Sequence, residues 1–274
     1  MKDNQHVVFL WTGKVEKTDF FYLCLQSLKL VSDCNIHVIT PFLKEGSSET
    51  LNELGVNVIH FDRSLWDNRR IACKVERIQE FLFSLPDKSQ LLVFDGDMLF
   101  LKDPFEAFNA PFDYVYTTRH YNYWAPTNAG CWGFRVNEDS KKFINFYADN
   151  MINPTWGPYV KWRLDHPHAR GLQEQDWWIE QDFSSCIHIN RDSVNKKGLG
   201  FDIITYDAGP QFNFIITTET PLNIQNYIKN KTSYVLHFKG SSFNRWVNGV
   251  NSKDELLKNK ISLDFKDILN LIKK

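Results

Sequence analysis

Gln90-Leu-Leu-Val-Phe-Asp95-Gly-Asp97-Met-Leu-Phe100 is the stretch whose reading decides the fold. Its apolar run reads as a strand buried on both faces, the pattern of a parallel sheet. The run ends in two carboxylates spaced i,i+2. Open α/β sheets bind ligands just beyond the carboxyl ends of their strands, so such a pair sits where a cation and an anionic partner would be held. In an extended strand Asp95 and Asp97, two residues apart, point to one face, and a bend at Gly96 lets both reach a single ion. Taken alone, the triplet reads either as a metal site or as an ordinary acidic turn.

The segments before it alternate strand with helix. His6 to Thr12 reads as a first buried strand, followed by a helix from about Asp19 to Leu30. Asn35 to Thr40 is a second strand, stopped by Pro41. Leu51 to Gly55 reads as a helix end capped by Gly55, leading into a strand from Val56 to Phe61. Asp67 is read as the cap of a long helix reaching about Leu85 and closed by Pro86. This alternation predicts an α/β fold, a mostly parallel sheet flanked by helices.

Beyond residue 100 the pattern changes. Asp113 to Thr118 and Cys131 to Val136 read as strands, the latter introduced by Thr127-Asn-Ala-Gly130. Asp139 to Asn150 and Glu174 to Gln181 read as helices, and Cys186 to Asn190, Phe212 to Thr217 and Tyr234 to Phe238 as strands. Residues 151–171 are rich in Pro, Gly and Trp and lack a period, which suggests a functional loop or lid. The segment Lys253 to Lys274 carries Leu256, Leu257, Ile261, Phe265, Ile268, Leu269 and Ile272 at spacings that cover one helix face. We read 1–274 as one domain, with a nucleotide-binding half over about 1–100, a second half over about 101–250, and a helical segment over 251–274.

Composition narrows the function classes. The 274 residues are 43% hydrophobic, ample for a core, and Lys plus Arg number 32 against 33 for Asp plus Glu. A formal charge of −1 gives no broad basic surface for nucleic acid. The five cysteines form no CxxC pair, which favours reduced core thiols. The N-terminus lacks a signal-peptide pattern and no apolar run approaches ~18 residues. The expectation is a cytoplasmic or otherwise soluble protein, or one peripheral to a membrane.

Companions to the acidic pair lie far along the chain. Carboxylates favour Mg²⁺ or Mn²⁺, and an imidazole tilts the choice toward Mn²⁺. His237 is that candidate, in Tyr234-Val-Leu-His237-Phe-Lys-Gly240. An isolated strand histidine is also an ordinary core residue. Here Lys239, Gly240, Ser241, Ser242 and Arg245 follow it, a turn suited to phosphate oxygens. Lys74 and Arg77 lie one turn apart on the helix before the acidic strand, as a donor-facing pair or as a solvated basic face. Trp11 and Thr12 end the first strand at the edge where a nucleotide would lie, although Trp11 also reads as core.

Four islands in order carry a family resemblance. Leu91-Leu-Val-Phe-Asp95-Gly-Asp97 resembles an Asp-X-Asp motif after a buried strand, and Thr127-Asn128-Ala-Gly130 resembles a Phe-Asn-Ala/Ser-Gly segment. Gln173-Glu174-Gln175-Asp176 resembles an Asn-Asp-Gln-Asp helix start, and His237-Phe-Lys-Gly240 a late His-Phe-X-Gly motif. Over about 90–246 the chain resembles the nucleotide-sugar glycosyltransferases of the GT-A fold, of the glycogenin-like and galactosyltransferase-like family 8. That resemblance implies a Rossmann-like fold with a mixed central sheet, and Mn²⁺ (Mg²⁺ as the alternative) held by Asp95, Asp97 and His237. Together with the positions read above, it gives a nucleoside-diphosphate sugar bound by Trp11, Thr12, one of Lys74 and Arg77, Asp95, Asn128, Lys239, Gly240 and Arg245. Glu174, Gln175 and Asp176 would line the reacting centre. Two departures stand out. Phe243-Asn-Arg245-Trp246 replaces the usual Lys-Pro-Trp, and Glu174 replaces an Asp.

The leading expectation is a Mn²⁺-dependent, retaining transfer of a hexose-like sugar from a UDP- or GDP-sugar to a glycan, glycoprotein or glycolipid acceptor. Trp156, Tyr159, Trp162, Asp165, His166 and His168 are candidates for an acceptor platform, since indole faces suit sugar C–H surfaces. A nucleotidyltransferase would share the carboxylates but should carry a basic, glycine-rich loop after the first strand, and Gly13-Lys14 is too sparse for that. A carbohydrate-binding scaffold on a degenerate transferase fold is the non-enzymatic alternative. The joint presence of Asp95, Asp97 and His237 argues against it.

Overall fold

The computed structural model describes residues 4–11, 18–43, 45–120, 125–166, 176–216, 224–238 and 265–273. The first part follows the alternating pattern: β1 (Gln5–Leu10), α1 (Thr18–Val31), β2 (Asn35–Thr40), α2 (Ser47–Glu53), β3 (Asn57–His60), α3 (Arg63–Ser84) and β4 (Gln90–Phe94). Next come β5 (Met98–Phe100), β6 (Tyr114–Thr118), β7 (Thr127–Arg135), α4 (Glu138–Ile152), α5 (Gly157–Asp165) and α6 (Asp176–Ile189). β8 (Thr205–Asp207), β9 (Phe214–Ile216), a helix Ile224–Asn230, β10 (Val235–Phe238) and a helix Phe265–Lys273 follow, with short helical turns between some of the elements.

A seven-stranded sheet runs in the order β3-β2-β1-β4-β7-β6-β8. Its first four strands are parallel, as the hydrophobic runs predict. β7 then lies antiparallel to both β4 and β6, and β8 runs parallel to β6, so the sheet is mixed but, as expected, mostly parallel, with β7 the one reversed strand. A second sheet orders β5-β10-β9. The quoted stretch therefore splits into strands of two different sheets. Asp95, Gly96 and Asp97 form the passage between them.

Both faces of the large sheet are covered. Val7, Phe9, Leu92 and Phe94 pack with Phe21, Cys24 and Leu25 of α1 on one side. Val8, Leu91 and Val93 pack with Ile78 and Leu82 of α3, Phe143 and Tyr147 of α4, and Phe183 of α6 on the other. The small sheet joins Leu99, Leu236 and Phe238 to Phe20, Leu23, Ile268 and Ile272. The last described helix thus buries one apolar face, as its spacing predicts. The rest of 251–274 lies outside the described residues. Among the described residues no helix is long and apolar enough to cross a membrane. All five cysteines are free and buried.

Several local readings are corrected. The cap of α3 is Asp62, whose carboxylate accepts from the Ser64 N–H, while Asp67 sits inside the helix and pairs with Arg63. Cys186 to Asn190 is not a strand but the end of α6. Cys-Ile-His-Ile alternates by eye, yet Phe183, Cys186 and Ile187 are buried at helical spacing. The aperiodic stretch 151–171 contains α5, opened by Pro158 in its first turn. The predicted strand at Phe212 begins two residues later, after a 3₁₀ turn over Pro210–Phe212.

Candidate active site

The passage between the sheets is pinned on both sides. The Asp95 N–H donates to the Gly130 carbonyl on β7 at 3.0 Å, which keeps Asp95 in line with the large sheet. Two residues on, the Phe238 N–H of β10 donates to the Asp97 carbonyl at 2.9 Å. Gly96 turns the chain between these anchors against the Trp11 ring, where an added Cβ would sit 2.9 Å from two ring carbons. Trp11 itself is buried and stacks on Phe21, so it forms the floor under the turn.

Antiparallel pairing of β10 with β5 sets His237 opposite Met98 and delivers the imidazole to the turn. His237 Nε2 lies 3.1 Å from Asp97 Oδ1 and 3.8 Å from Asp95 Oδ2. One ligand atom from each of Asp95, Asp97 and His237 falls within 4.8 Å of the others. Two carboxylates and an imidazole converging on one point form the donor set for a hard to borderline divalent cation, and the residues fit such an ion.

The ring of His237 is held from behind. Its Nδ1 donates to Asn213 Oδ1 at 2.9 Å, and Asn213 Nδ2 donates to Asn128 Oδ1 at 3.0 Å and to Thr117 Oγ1 at 3.1 Å. Asn128 Oδ1 also accepts the Gly130 N–H at 2.7 Å. All of these side chains are buried. Among the described residues the buried donor Asn128 Nδ2 has no hydrogen-bond partner.

A second network brings a cation to Asp95. Lys74 of α3 donates to Asp95 Oδ1 at 3.3 Å and to Glu180 Oε2 of α6 at 3.0 Å, while Trp132 Nε1 holds Glu180 Oε1 at 2.7 Å. Burial works against the Lys74 charge, but Glu180 and then Asp95 more than offset it and raise the pKa. Burial raises the Glu180 carboxyl, with Lys74 pulling it back. Arg77, one turn on, instead pairs with Glu80 at 2.6 Å. Burial, aided by Asp95, pushes the nearby Cys131 thiol well up, so it supplies no thiolate.

Of the sequence candidates, the structure thus brings together Asp95, Asp97, His237, Asn128 and Lys74. Thr12, Glu174, Gln175, Lys239, Gly240, Arg245 and His168 lie outside the described residues. Asp176 opens α6, whose next turn carries Glu180, and its side chain is likewise outside. The aromatic platform separates into parts. Tyr159 is fully buried against Phe183, Trp156 packs on Phe146 and Phe183, and Trp162 stacks on His166. Tyr159 is core, and a buried ring offers no face to an acceptor. Glu180, Asn213 and Thr117 are site residues that the sequence reading missed.

The fold has counterparts among solved structures. The galactosyltransferase LgtC, solved with donor and acceptor sugar analogs, superimposes with a TM-score of 0.52 at 13% identity over 97% of this chain and 95% of LgtC. The fold is GT-A. GlyE, a glycosyltransferase of Streptococcus pneumoniae TIGR4, matches with a TM-score of 0.53 at 13% identity, covering 97% of this chain and 63% of GlyE. The bifunctional glycosyltransferase WbbM gives 0.56 at 12% identity, over 99% of this chain and 50% of WbbM. The chain therefore spans nearly all of one relative and about half to two thirds of the others. No family model and no curated sequence matches it. At such identities the likeness establishes the GT-A fold.

Proposed function

We propose that this GT-A chain, read as one domain, is a metal-dependent glycosyltransferase. It moves a hexose-like sugar from a UDP- or GDP-sugar to a glycan, glycoprotein or glycolipid acceptor, with retention of configuration. The observation that carries this reading is the convergence of Asp95, Asp97 and His237 at the end of β4. GT-A glycosyltransferases share this fold, and the four sequence islands resemble family 8. Asp95, Asp97 and His237 would hold the ion, Mn²⁺ for a set that includes imidazole. When bound, it supplies a charge that stabilises the negative charge developing on a leaving diphosphate.

The chain's own groups have definable tasks. Lys74, held between Asp95 and Glu180, would be the helix cation that serves the anionic leaving group of the donor. Asn128 Nδ2 is a buried donor awaiting an acceptor oxygen, suited to a sugar hydroxyl or phosphate. Asp176 and its two predecessors would line the side of the sugar away from the diphosphate, where carboxylate and amide oxygens stabilise oxocarbenium-like charge.

Calorimetric titration of UDP and GDP with and without Mn²⁺ tests the reading. One nucleotide should bind about tenfold or more tighter with the metal. A donor screen that measures UDP or GDP release from several nucleotide sugars then identifies the substrate. Metal-independent binding of both nucleotides, or unchanged sugar transfer in Asp97→Ala, sinks it.

A further inference from the structure

The hydrogen bonds behind His237 have a direction, and a backbone group sets it. A backbone N–H can only donate, so the Gly130 N–H requires an oxygen at Asn128 Oδ1. That oxygen can only accept, so the group that Asn213 turns toward it must be the NH₂, and the same NH₂ reaches Thr117 Oγ1. The Thr117 hydroxyl sends its own proton to the carbonyls of Cys131 and Asn128, leaving its oxygen to accept. With its nitrogen committed, Asn213 presents its oxygen to His237 Nδ1 at 2.9 Å. Flipping either amide would set donor against donor or acceptor against acceptor in a site without exposed alternatives.

The geometry points to Asn213 as a positioning residue for the metal ligand. It passes the donor polarity of the Gly130 N–H through Asn128 to His237, fixes the Nδ1–H tautomer, and leaves the Nε2 lone pair aimed between Asp95 and Asp97. This rests on the reading of those three residues as a metal site. Metal-binding histidines generally donate their second ring N–H to an oxygen, which orients the ring and raises its basicity. Here a carboxamide performs that role rather than a carboxylate. It adds no charge to a site that already carries two acidic groups.

The test uses the full chain and Mn²⁺ alone, followed by electron paramagnetic resonance titration. Asn213→Leu keeps the side-chain volume and removes the acceptor, and should lower Mn²⁺ affinity by about 10- to 100-fold. Asn213→Asp restores an acceptor at His237 but sets its second oxygen against Asn128 Oδ1, so it should recover only part of that loss, with an affinity between those of Asn213→Leu and wild type. Independently of any substitution, ¹⁵N–¹H correlation of the His237 ring in the metal-free wild type should show a protonated Nδ1 and a bare Nε2 at a pH where the ring is neutral. Wild-type affinity in Asn213→Leu, or a proton on Nε2 of the neutral ring, overturns the inference while leaving the metal site standing. A wild type without Mn²⁺ affinity overturns the metal reading and the inference with it.

Discussion

Gly130 and His237 touch so closely that position 130 has no room for a side chain. A Cβ there would meet His237 Cε1 inside contact distance and lie 2.8 Å from both His237 Nδ1 and Asn128 Oδ1. The obstructing atoms belong to a buried ring and amide fixed by hydrogen bonds, so they cannot swing aside. Gly130→Ala is expected to displace the imidazole from Asp97, lower Mn²⁺ affinity by about 10-fold or more, and cost roughly 1–3 kcal/mol of stability. Mn²⁺ titration and chemical denaturation of the variant check both. An alanine variant with wild-type metal affinity would show that the ring is not held as described.

Lys74 and Glu180 form a buried ion pair, and such pairs behave asymmetrically when cut. Lys74→Met leaves Glu180 charged and uncompensated and should cost about 3–5 kcal/mol, whereas the Lys74→Met/Glu180→Gln double variant should recover most of that stability. Nucleotide binding should not recover with it, because the ammonium beside Asp95 is still missing. Thermal denaturation and UDP or GDP titration of wild type and both variants separate the outcomes. A double variant that binds nucleotide as tightly as wild type would assign Lys74 to the scaffold alone.

The chain announces its central strands and only part of its site. Val7 to Phe9 and Leu91 to Phe94 are unbroken apolar runs because both of their faces are covered, and that pattern survives in any single-sequence reading. Asp95, Asp97 and His237 were legible because chemically distinctive residues sit at the ends of such runs. Glu180 was not. It lies 106 residues from Lys74, inside a helix whose polar and apolar positions do not sort cleanly, and its meaning comes only from the residues that packing sets against it. Asn213 is hidden for the same reason, as an ordinary turn residue until β9 and β10 pair. The cap of α3 was misplaced because Asp62 and Asp67 are equally good caps by type, and only the Ser64 N–H chooses between them.

The pair His6–His37 makes the large sheet acid-sensitive. His6 Nδ1 and His37 Nε2 approach to 3.1 Å across β1 and β2, beneath Phe81 of α3. Burial, with His6 adding to it, lowers the His37 pKa to about 4, and burial lowers that of His6. The folded state therefore binds fewer protons than the unfolded one between the ordinary histidine value of 6.5 and about 4. The neutral pair's contribution is complete above that window and is lost as the pH falls through it, by up to ~3 kcal/mol for His37. His37→Gln should flatten the urea midpoint between those limits. An equally steep decline in the variant would place the acid sensitivity elsewhere.

Asp182 should show the opposite slope. Its side chain is buried on α6 near Trp162, His166 and Arg163 of α5, and burial raises its pKa from 3.8 to about 6 despite their opposing pull. The folded state here binds more protons than the unfolded one between those values. The stability that the protonated form contributes is fully present below 3.8 and lost as the pH rises through about 6, so at neutral pH the chain carries a buried charge at a net cost. Asp182→Asn fills the same space without ionising. Above pH 7 the variant should be more stable than wild type by ~1–2 kcal/mol, and that advantage should shrink steadily as the pH falls toward 4. Denaturation midpoints of the two proteins across that range give the comparison. A pH-independent difference, or a less stable variant above pH 7, would mean that the carboxylate is satisfied where it sits.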